Sequence, residues 1–323
     1  RPGASTSMVS GSGLWNQHQN TYDAEVLAAA GIEPSALSPP REMDRAETAL
    51  LPEFASRWPL LDGIPWYPPL GDGAANNIGS GCTTPDRFAL MVGTSGALRA
   101  VVEAPNMVIP SGLWCYRVDR KRYVLGGALS DGGAVYEWMR RTLALPADEG
   151  EIEARLAQMA PGAHALTVLP LFAGERSTHW RAEARAAITG LSSHTGPLDI
   201  LRAGLESVAL RFREIYDIMA QELGPPRQIL ASGGALLRSP AWTQIIADAL
   251  GRPVVACEES EASSRGVAIL ALERLGAIRQ AGDGPQPGGR AFEPVPEHHR
   301  VYDAELERQR RLYAKLFEEK DGA

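Results

Sequence analysis

One isolated carboxylate, Asp72, stands between Gly71 and Gly73 at the head of the run Gly71-Asp72-Gly73-Ala74-Ala75-Asn76-Asn77-Ile78-Gly79-Ser80-Gly81, and a second glycine-bracketed turn, Gly93-Thr94-Ser95-Gly96, follows it. Flanking glycines leave the acid unshielded, as a general base must be if a hydroxyl is to come within about 3 Å of it. The backbone of Gly93, Thr94, Ser95 and Gly96 is able to approach phosphate oxygens and offer them N–H groups, supplemented by the hydroxyls of Thr94 and Ser95. Side by side, the two features suggest phosphoryl transfer to a hydroxyl. An ordinary Asp-Gly turn is the competing reading of residues 71–73.

Two further glycine pairs carry possible ligand contacts. Ser232-Gly233-Gly234 follows the Ile229-Leu230 strand, at its carboxyl end, where a sheet commonly opens onto a ligand crevice. Without Cβ atoms a planar ring can lie on the backbone there; a strand-to-helix connection needing positive φ is the alternative. Gly132-Gly133 opens a helix whose N–H groups, if free, would face a ribose or phosphates. Other chemistries find less support. His18, His164, His179, His194, His298 and His299 are scattered with no metal-binding spacing, so no metal ligands are expected among them. No Gly-x-Ser-x-Gly elbow and no Gly-x-x-x-x-Gly-Lys-Ser loop occurs. Glu175 and Arg176 read as a structural ion pair, and Trp138 as core.

The elements that must position these residues form an alternating α/β pattern. Arg87 to Val92 reads as a buried strand and Ala97 to Val102 as its return, a hairpin with Gly93–Gly96 at its tip. Trp114 to Val118 and Tyr123 to Leu125 bracket a turn at Asp119–Arg122, and a helix runs from about Gly133 to Leu143. A strand at Leu166–Leu169 leads into a long irregular stretch. From Leu198 to Glu222, Leu201, Leu205, Val208, Phe212, Ile215 and Met219 recur at three and four, the buried face of a helix. A strand at Gln228–Leu230, a helix at Ala241–Leu250, a strand at Pro253–Ala256 and a helix at Ser260–Ala277 complete a layered α/β unit. Before Arg87 the chain is rich in Pro and Gly, with short helices expected at Asp23–Ala30 and Arg45–Leu51; after Ala281 a proline-rich linker and a solvated terminal helix, Tyr302–Glu319, are expected.

The chain has 323 residues, 44% hydrophobic and 22% charged, enough for one or two domains with real cores. Its net charge of −7 argues against a nucleic-acid partner, and no run of about 18 apolar residues supports a membrane span. Cys82, Cys115 and Cys257 are odd in number and widely spaced, which fits free thiols in a reducing cytoplasm.

Taken in order, several motifs resemble the C-terminal part of an FGGY-family carbohydrate kinase, of the actin, Hsp70 and sugar-kinase ATPase superfamily. Besides the two turns they are Leu113-Trp114-Cys115-Tyr116, Gly126-Gly127-Ala128-Leu129-Ser130-Asp131-Gly132-Gly133, Leu169-Pro170-Leu171-Phe172-Ala173-Gly174-Glu175-Arg176-Ser177, Ile188-Thr189-Gly190-Leu191, Ala231-Ser232-Gly233-Gly234-Ala235-Leu236-Leu237-Arg238-Ser239-Pro240 and Ala247-Asp248-Ala249-Leu250-Gly251-Arg252-Pro253-Val254. Gly204 departs from the family's usual aliphatic or hydroxyl residue on the helix that carries Glu206, a difference of packing.

The resemblance implies an actin-like (ribonuclease H-like) ATPase domain. Residues 1–86 would be the end of a first, sugar-binding domain, residues 87–280 the nucleotide-binding domain, and residues 281–323 a linker and terminal helix. It also implies ATP and Mg2+, with Asp72 as base, Gly93, Thr94, Ser95 and Gly96 on the phosphates, Gly133 beside the nucleotide, and Ser232, Gly233, Gly234 and Arg238 around the adenosine. The acceptor would be a sugar or sugar acid, gluconate first and xylulose second, in a cytoplasmic enzyme that could pair as a homodimer. The family's opening phosphate turn finds no counterpart near Arg1, so the chain is expected to be a fragment and a poor catalyst alone. A non-catalytic nucleotide-binding module and an ATPase-type regulator on the same fold stand as alternatives.

Overall fold

The computed structural model describes residues 3–42, 44–105, 107–259 and 261–318. Its centre is a seven-stranded sheet made of β1 (Arg87–Val92), β2 (Gly96–Glu103), β3 (Trp114–Arg117), β4 (Arg122–Leu129), β5 (Gln228–Ser232), β6 (Val254–Cys257) and β7 (Gly289–Phe292). The order across the sheet is β7-β6-β5-β1-β2-β4-β3. β5 runs parallel to both β1 and β6, whereas β1-β2, β2-β4 and β4-β3 are antiparallel pairs. Eight helices are relevant to the site: α1 (Asp72–Gly79), α2 (Gly133–Thr142), α3 (Glu149–Gln158), α4 (Pro197–Leu223), α5 (Gly234–Arg238), α6 (Pro240–Leu250), α7 (Ala262–Arg274) and α8 (Pro296–Phe317).

The sheet has helices on both faces because its strands are apolar on both sides. Along β2 the alternation of the pleat sends Leu98, Ala100 and Val102 into one core with Leu201, Leu205, Val208, Phe212 and Ile215 of α4. Val101 and the cross-strand Val124 join the opposite core, with Ala74 and Ile78 of α1 and Ile269 and Leu270 of α7. Here α1 and α7 touch backbone to backbone. A Cβ placed on Gly79 would lie 1.7 Å from the carbonyl oxygen of Ala262, and one on Gly266 would lie 1.9 Å from that of Ala75. Only glycine fits at either place.

The N-terminal segment lines the outer strand. The amide of Arg117 donates to Ser10 Oγ at 2.8 Å, Gln17 Nε2 donates to the Cys115 carbonyl at 3.0 Å, and Arg117 Nη2 returns a bond to the Gln17 carbonyl at 2.8 Å. Side chains thus satisfy backbone groups that an edge strand would otherwise leave bare. Of the two short helices expected here, Ala24–Ala30 forms, with Asp23 capping it through the amides of Glu25 and Val26. Residues 45–51 are not helical: Glu47 pairs with Trp66 instead, and the helical turn comes later, at Pro52–Arg57, where Pro52 presets the first φ.

The C-terminal segment departs from expectation. The stretch read as a linker contains β7, which adds to the sheet antiparallel to β6. The helix read as solvated buries one face, Tyr302, Leu306, Gln309 and Tyr313, and Gln309 Nε2 donates to the Val168 carbonyl at 2.9 Å. Tyr302, Leu306 and Tyr313 recur at four and seven among many charges, so the stripe is narrow and the composition disguises it. Ser260 and Glu319, the expected limits of two helices, lie outside the described residues. All three cysteines are free and buried; burial pushes the Cys115 thiol up to about 12. No helix among the described residues is long and apolar enough to cross a membrane.

Candidate active site

Two of the glycine turns leave the sheet at one edge. β1 and β5 are neighbours running the same way, with Met91 opposite Ser232, so Gly93-Thr94-Ser95 and Gly233-Gly234 emerge next to each other at the strands' carboxyl ends. That is where an open α/β sheet offers a crevice. The amide of Gly93 donates to the Ser95 carbonyl at 3.0 Å and closes the hairpin tip. A Cβ on Gly93 would meet nothing nearer than Met91 Sδ at 3.7 Å, so the space over this residue is open. Among the described residues, the amides and hydroxyls of Thr94 and Ser95 have no hydrogen-bond partner. Gly96 differs: it is buried, and a Cβ there would lie 2.5 Å from the Phe212 ring, so it packs the tip onto α4.

The N-terminus of α2 does not offer free donors. The amides of Gly132 and Ala134 donate to the Thr94 carbonyl at 3.0 and 3.1 Å, and that of Gly133 donates to the Gly93 carbonyl at 2.7 Å. The first turn of the helix therefore grips the hairpin tip from behind, which corrects the expectation that these N–H groups face a ligand. What Gly133 contributes is proximity: a Cβ there would lie 2.6 Å from the Gly93 carbonyl.

Gly233 has φ +94° and ψ 143°, a conformation nearly closed to other residues, and a Cβ on it would meet the Val92 carbonyl at 2.4 Å. Gly234 is exposed, and the Arg238 guanidinium lies over it. Ser232 Oγ is buried without a hydrogen-bond partner. Beside this turn α2, α3, α5 and α6 enclose a cavity of about 310 Å³ lined by Gly133, Tyr136, Ile152, Ala235, Arg238 and Trp242, with Glu137, Glu149 and Glu153 at its polar side. An apolar slot with a few carboxylates suits a flat heteroaromatic ring carrying an amino group. The sequence reading missed the α3 contribution. Its signal was Asp148, an N-cap accepting from the Glu151 amide at 2.7 Å, followed by the apolar pair Ile152 and Leu156.

Asp72 is not in a turn. It is the first residue of α1, exposed, with Gly71 as N-cap and the Gly71 amide donating to Ser7 Oγ at 3.1 Å. Its Oδ1 accepts from the Gly73 amide at 2.7 Å. A carboxylate at a helix N-terminus is favoured by the backbone dipole. Tyr116 of β3 rests on Gly73, where a Cβ would lie 2.1 Å from the phenolic oxygen and 3.5 Å from Arg99 Cζ. Burial pushes the Tyr116 phenol up to about 12, with Arg99 opposing and Asp72 adding to the effect. Arg99 lies on β2, three residues from Gly96 at the tip, roughly 10 Å along a strand. The Arg99 side chain thus runs to the first turn of α1 from the strand whose start is the phosphate-type turn.

Residues 88–273 match the C-terminal domain of the FGGY family of carbohydrate kinases. The chain belongs to that family. A gluconokinase from Bacillus subtilis is 30% identical over 283 residues, 84% of this chain and 55% of that protein. Glycerol kinase 1 from Thermotoga maritima is 30% identical over 275 residues, 82% of this chain and 54% of its own. The solved gluconate kinase of Lactobacillus acidophilus superposes with a TM-score of 0.87 at 27% identity, covering 97% of this chain and 64% of that one. The ligand-bound xylulose kinase of the same organism gives a TM-score of 0.87 at 26% identity, covering 97% and 64%. This FGGY chain thus spans about half the length of the curated relatives it matches, and its fold is that of the actin-like ATPases.

Two buried ionic clusters of this FGGY domain lie apart from the turns. Glu175 pairs with Arg211 of α4, not with the adjacent Arg176, and Tyr313 Oη donates to it at 2.5 Å. Glu206 receives Arg202 Nε at 2.5 Å and Tyr302 Oη at 3.1 Å and lies 2.9 Å from His164 Nε2. Burial pushes both carboxyls up, but hydrogen bonds from His179 and His164 and the charges of Arg211 and Arg202 outweigh it and hold each below its ordinary 4.5. They fasten loops and α8 to α4. Trp138 packs against the main core and against Phe172, ring centroids 4.6 Å apart.

Proposed function

We propose that the protein transfers the γ-phosphoryl group of Mg-ATP to a hydroxyl of a sugar or sugar acid. Asp72 is the general base: its carboxylate takes the acceptor hydroxyl's proton as the oxygen bonds to phosphorus and ADP departs. The free amides and hydroxyls of Thr94 and Ser95 receive phosphate oxygens, and the open space over Gly93 lets backbone and phosphate approach. Gly233 and Gly234 give the adenosine a flat floor, with Arg238 at its rim. Magnesium supplies charge neutralisation on the phosphates. Among the described residues no three His, Cys, Asp or Glu side chains converge, which fits an ion held chiefly by phosphate oxygens and water. Residues 1–86 bring the base, and the sheet domain that begins at Arg87 holds the nucleotide.

The observation that carries this reading is the exposed Asp72 beside the very strand whose tip bears unpartnered phosphate-type donors. Asp72→Asn in the full-length gene product should lower kcat by about 10²- to 10⁴-fold while calorimetric affinity for Mg-ATP stays unchanged. Retained turnover in that variant removes Asp72 from the role. Nucleotide binding by the wild type with no sugar-dependent ADP release would favour the binding-module reading.

A further inference from the structure

Arg99 stands out among the charged residues near Asp72. Among the described residues its guanidinium makes no hydrogen bond and no ion pair, and Nε is buried without a partner. A desolvated donor of this kind costs about 1–3 kcal/mol unless something accepts from it. The fold has gone to some length to aim this side chain. Ala89, Arg99, Gly126 and Trp114 form one row across β1, β2, β4 and β3. A Cβ on Gly126 would lie 2.9 Å from Arg99 Cα and 3.1 Å from Arg99 Cγ, so the missing side chain lets the arginine stem lie across β4. Its guanidinium ends 5.8 Å from the Trp114 ring centroid, and Trp114 itself stacks on Tyr116 at 4.8 Å. Towards the core the next row is apolar, Val101 and Val124. Towards the tip it is Ala97 and Ala128, side chains too short to reach a guanidinium's outer edge.

Trp114 Nε1 and, one helical turn after Asp72, Asn76 Oδ1 are also buried without partners. A cation, an indole donor and an amide oxygen left unsatisfied near an exposed carboxylate are the complement of a polar, anionic ligand. Asp72 does not fill the role, since no ion pair joins it to Arg99 among the described residues.

We infer that Arg99 selects acceptors that carry a carboxylate, holding that group in its planar fork while Asp72 faces one of the acceptor's hydroxyls. This rests on the kinase reading above and narrows the acceptor to a sugar acid. A guanidinium matches a carboxylate in two parallel hydrogen bonds, and a neutral polyol or ketose would leave the cation unpaired. The phosphate end of the site is served separately by the hairpin tip.

The test uses the full-length gene product with D-gluconate, D-xylulose and glycerol as probes. Calorimetry measures binding of each without nucleotide, and coupled ADP release gives KM and kcat. Arg99→Met should weaken D-gluconate binding and raise its KM roughly 10- to 150-fold with kcat changed little, while Mg-ATP affinity and Tm stay near wild type. Arg99→Lys, keeping charge without the fork, should recover part of the loss. Equal D-gluconate affinity in Arg99→Met and wild type overturns the inference, as does a wild type that binds no D-gluconate. Turnover with D-xylulose or glycerol in that last case would leave the kinase reading standing. A uniform fall in kcat on every acceptor would place Arg99 on the phosphoryl group and equally overturn it.

Discussion

Gly233→Ala tests whether the Gly233-Gly234 turn and the Gly93–Gly96 turn, proposed to hold the adenosine and the phosphates, are mechanically one unit. At φ +94° and ψ 143°, alanine would be held in a region nearly exclusive to glycine, at a cost of about 1–3 kcal/mol. Its methyl would also fall 2.4 Å from the Val92 carbonyl oxygen and 2.7 Å from the carbonyl carbon. Those are backbone atoms in the last residue of β1, so no rotamer change relieves the overlap, and overpacking adds about 1–3 kcal/mol. The sum, about 2–6 kcal/mol, corresponds to a fall in Tm of roughly 5–15 °C. Because Val92 immediately precedes Gly93, relief by backbone movement would shift the hairpin tip, so calorimetric affinity for Mg-ATP should fall as well. Gly234→Ala is the control. Its φ is ordinary and its methyl would meet only the mobile end of Arg238, at 2.8 Å. That variant should keep its Tm within about 1 °C yet bind Mg-ATP about 10-fold less tightly, since the methyl would stand on the proposed adenosine floor. A Gly233→Ala protein with wild-type Tm and affinity, or a Gly234→Ala protein as unstable as it, would refute the reasoning.

Glu206→Gln leaves Arg202 buried without its counter-charge and should destabilise the protein by about 3–5 kcal/mol, read by urea unfolding. The sign of the pH dependence follows from the lowered carboxyls of Glu175 and Glu206: their contribution is present above the ordinary 4.5 and is lost as the pH falls through their lower folded-state values, so wild-type Tm should drop more steeply below that point than the Tm of Glu206→Gln. Gly266→Ala would drive a methyl to within 1.9 Å of the Ala75 carbonyl, forcing α1 and α7 apart, and should cost about 3 kcal/mol or more in thermal unfolding.

Much of the sheet domain was legible because its signals are local and strong. The hairpin on either side of Gly93–Gly96, the long amphipathic α4 and the strand preceding Ser232 each announce themselves within a few residues, and they fall within a residue or two of the expected limits. What escaped notice depends on distant partners. Asp72 opens a helix in which Gly73, Asn76, Asn77 and Gly79 are poor helix formers; the matching smallness of α7, packed backbone to backbone against it, explains why it is helical there. β7 is four residues among prolines and glycines, readable as a strand only once β6 is in place beside it. Gly133 opens its helix as expected, but the direction of its amide was a matter of tertiary docking. Arg99 gave no sign in the sequence, since its meaning lies in the row it shares with Gly126 and Trp114.

The three amide bonds from Gly132, Gly133 and Ala134 onto Gly93 and Thr94 have a thermodynamic consequence. A glycine-bracketed loop left to itself samples many shapes, and arresting it costs about 1–2 kcal/mol per residue. Here that ordering is completed as the chain folds, by a neighbouring helix that asks nothing of the ligand. A triphosphate bound at Thr94 and Ser95 as proposed would find donors already standing still, so more of its binding energy would be left to align the reacting atoms.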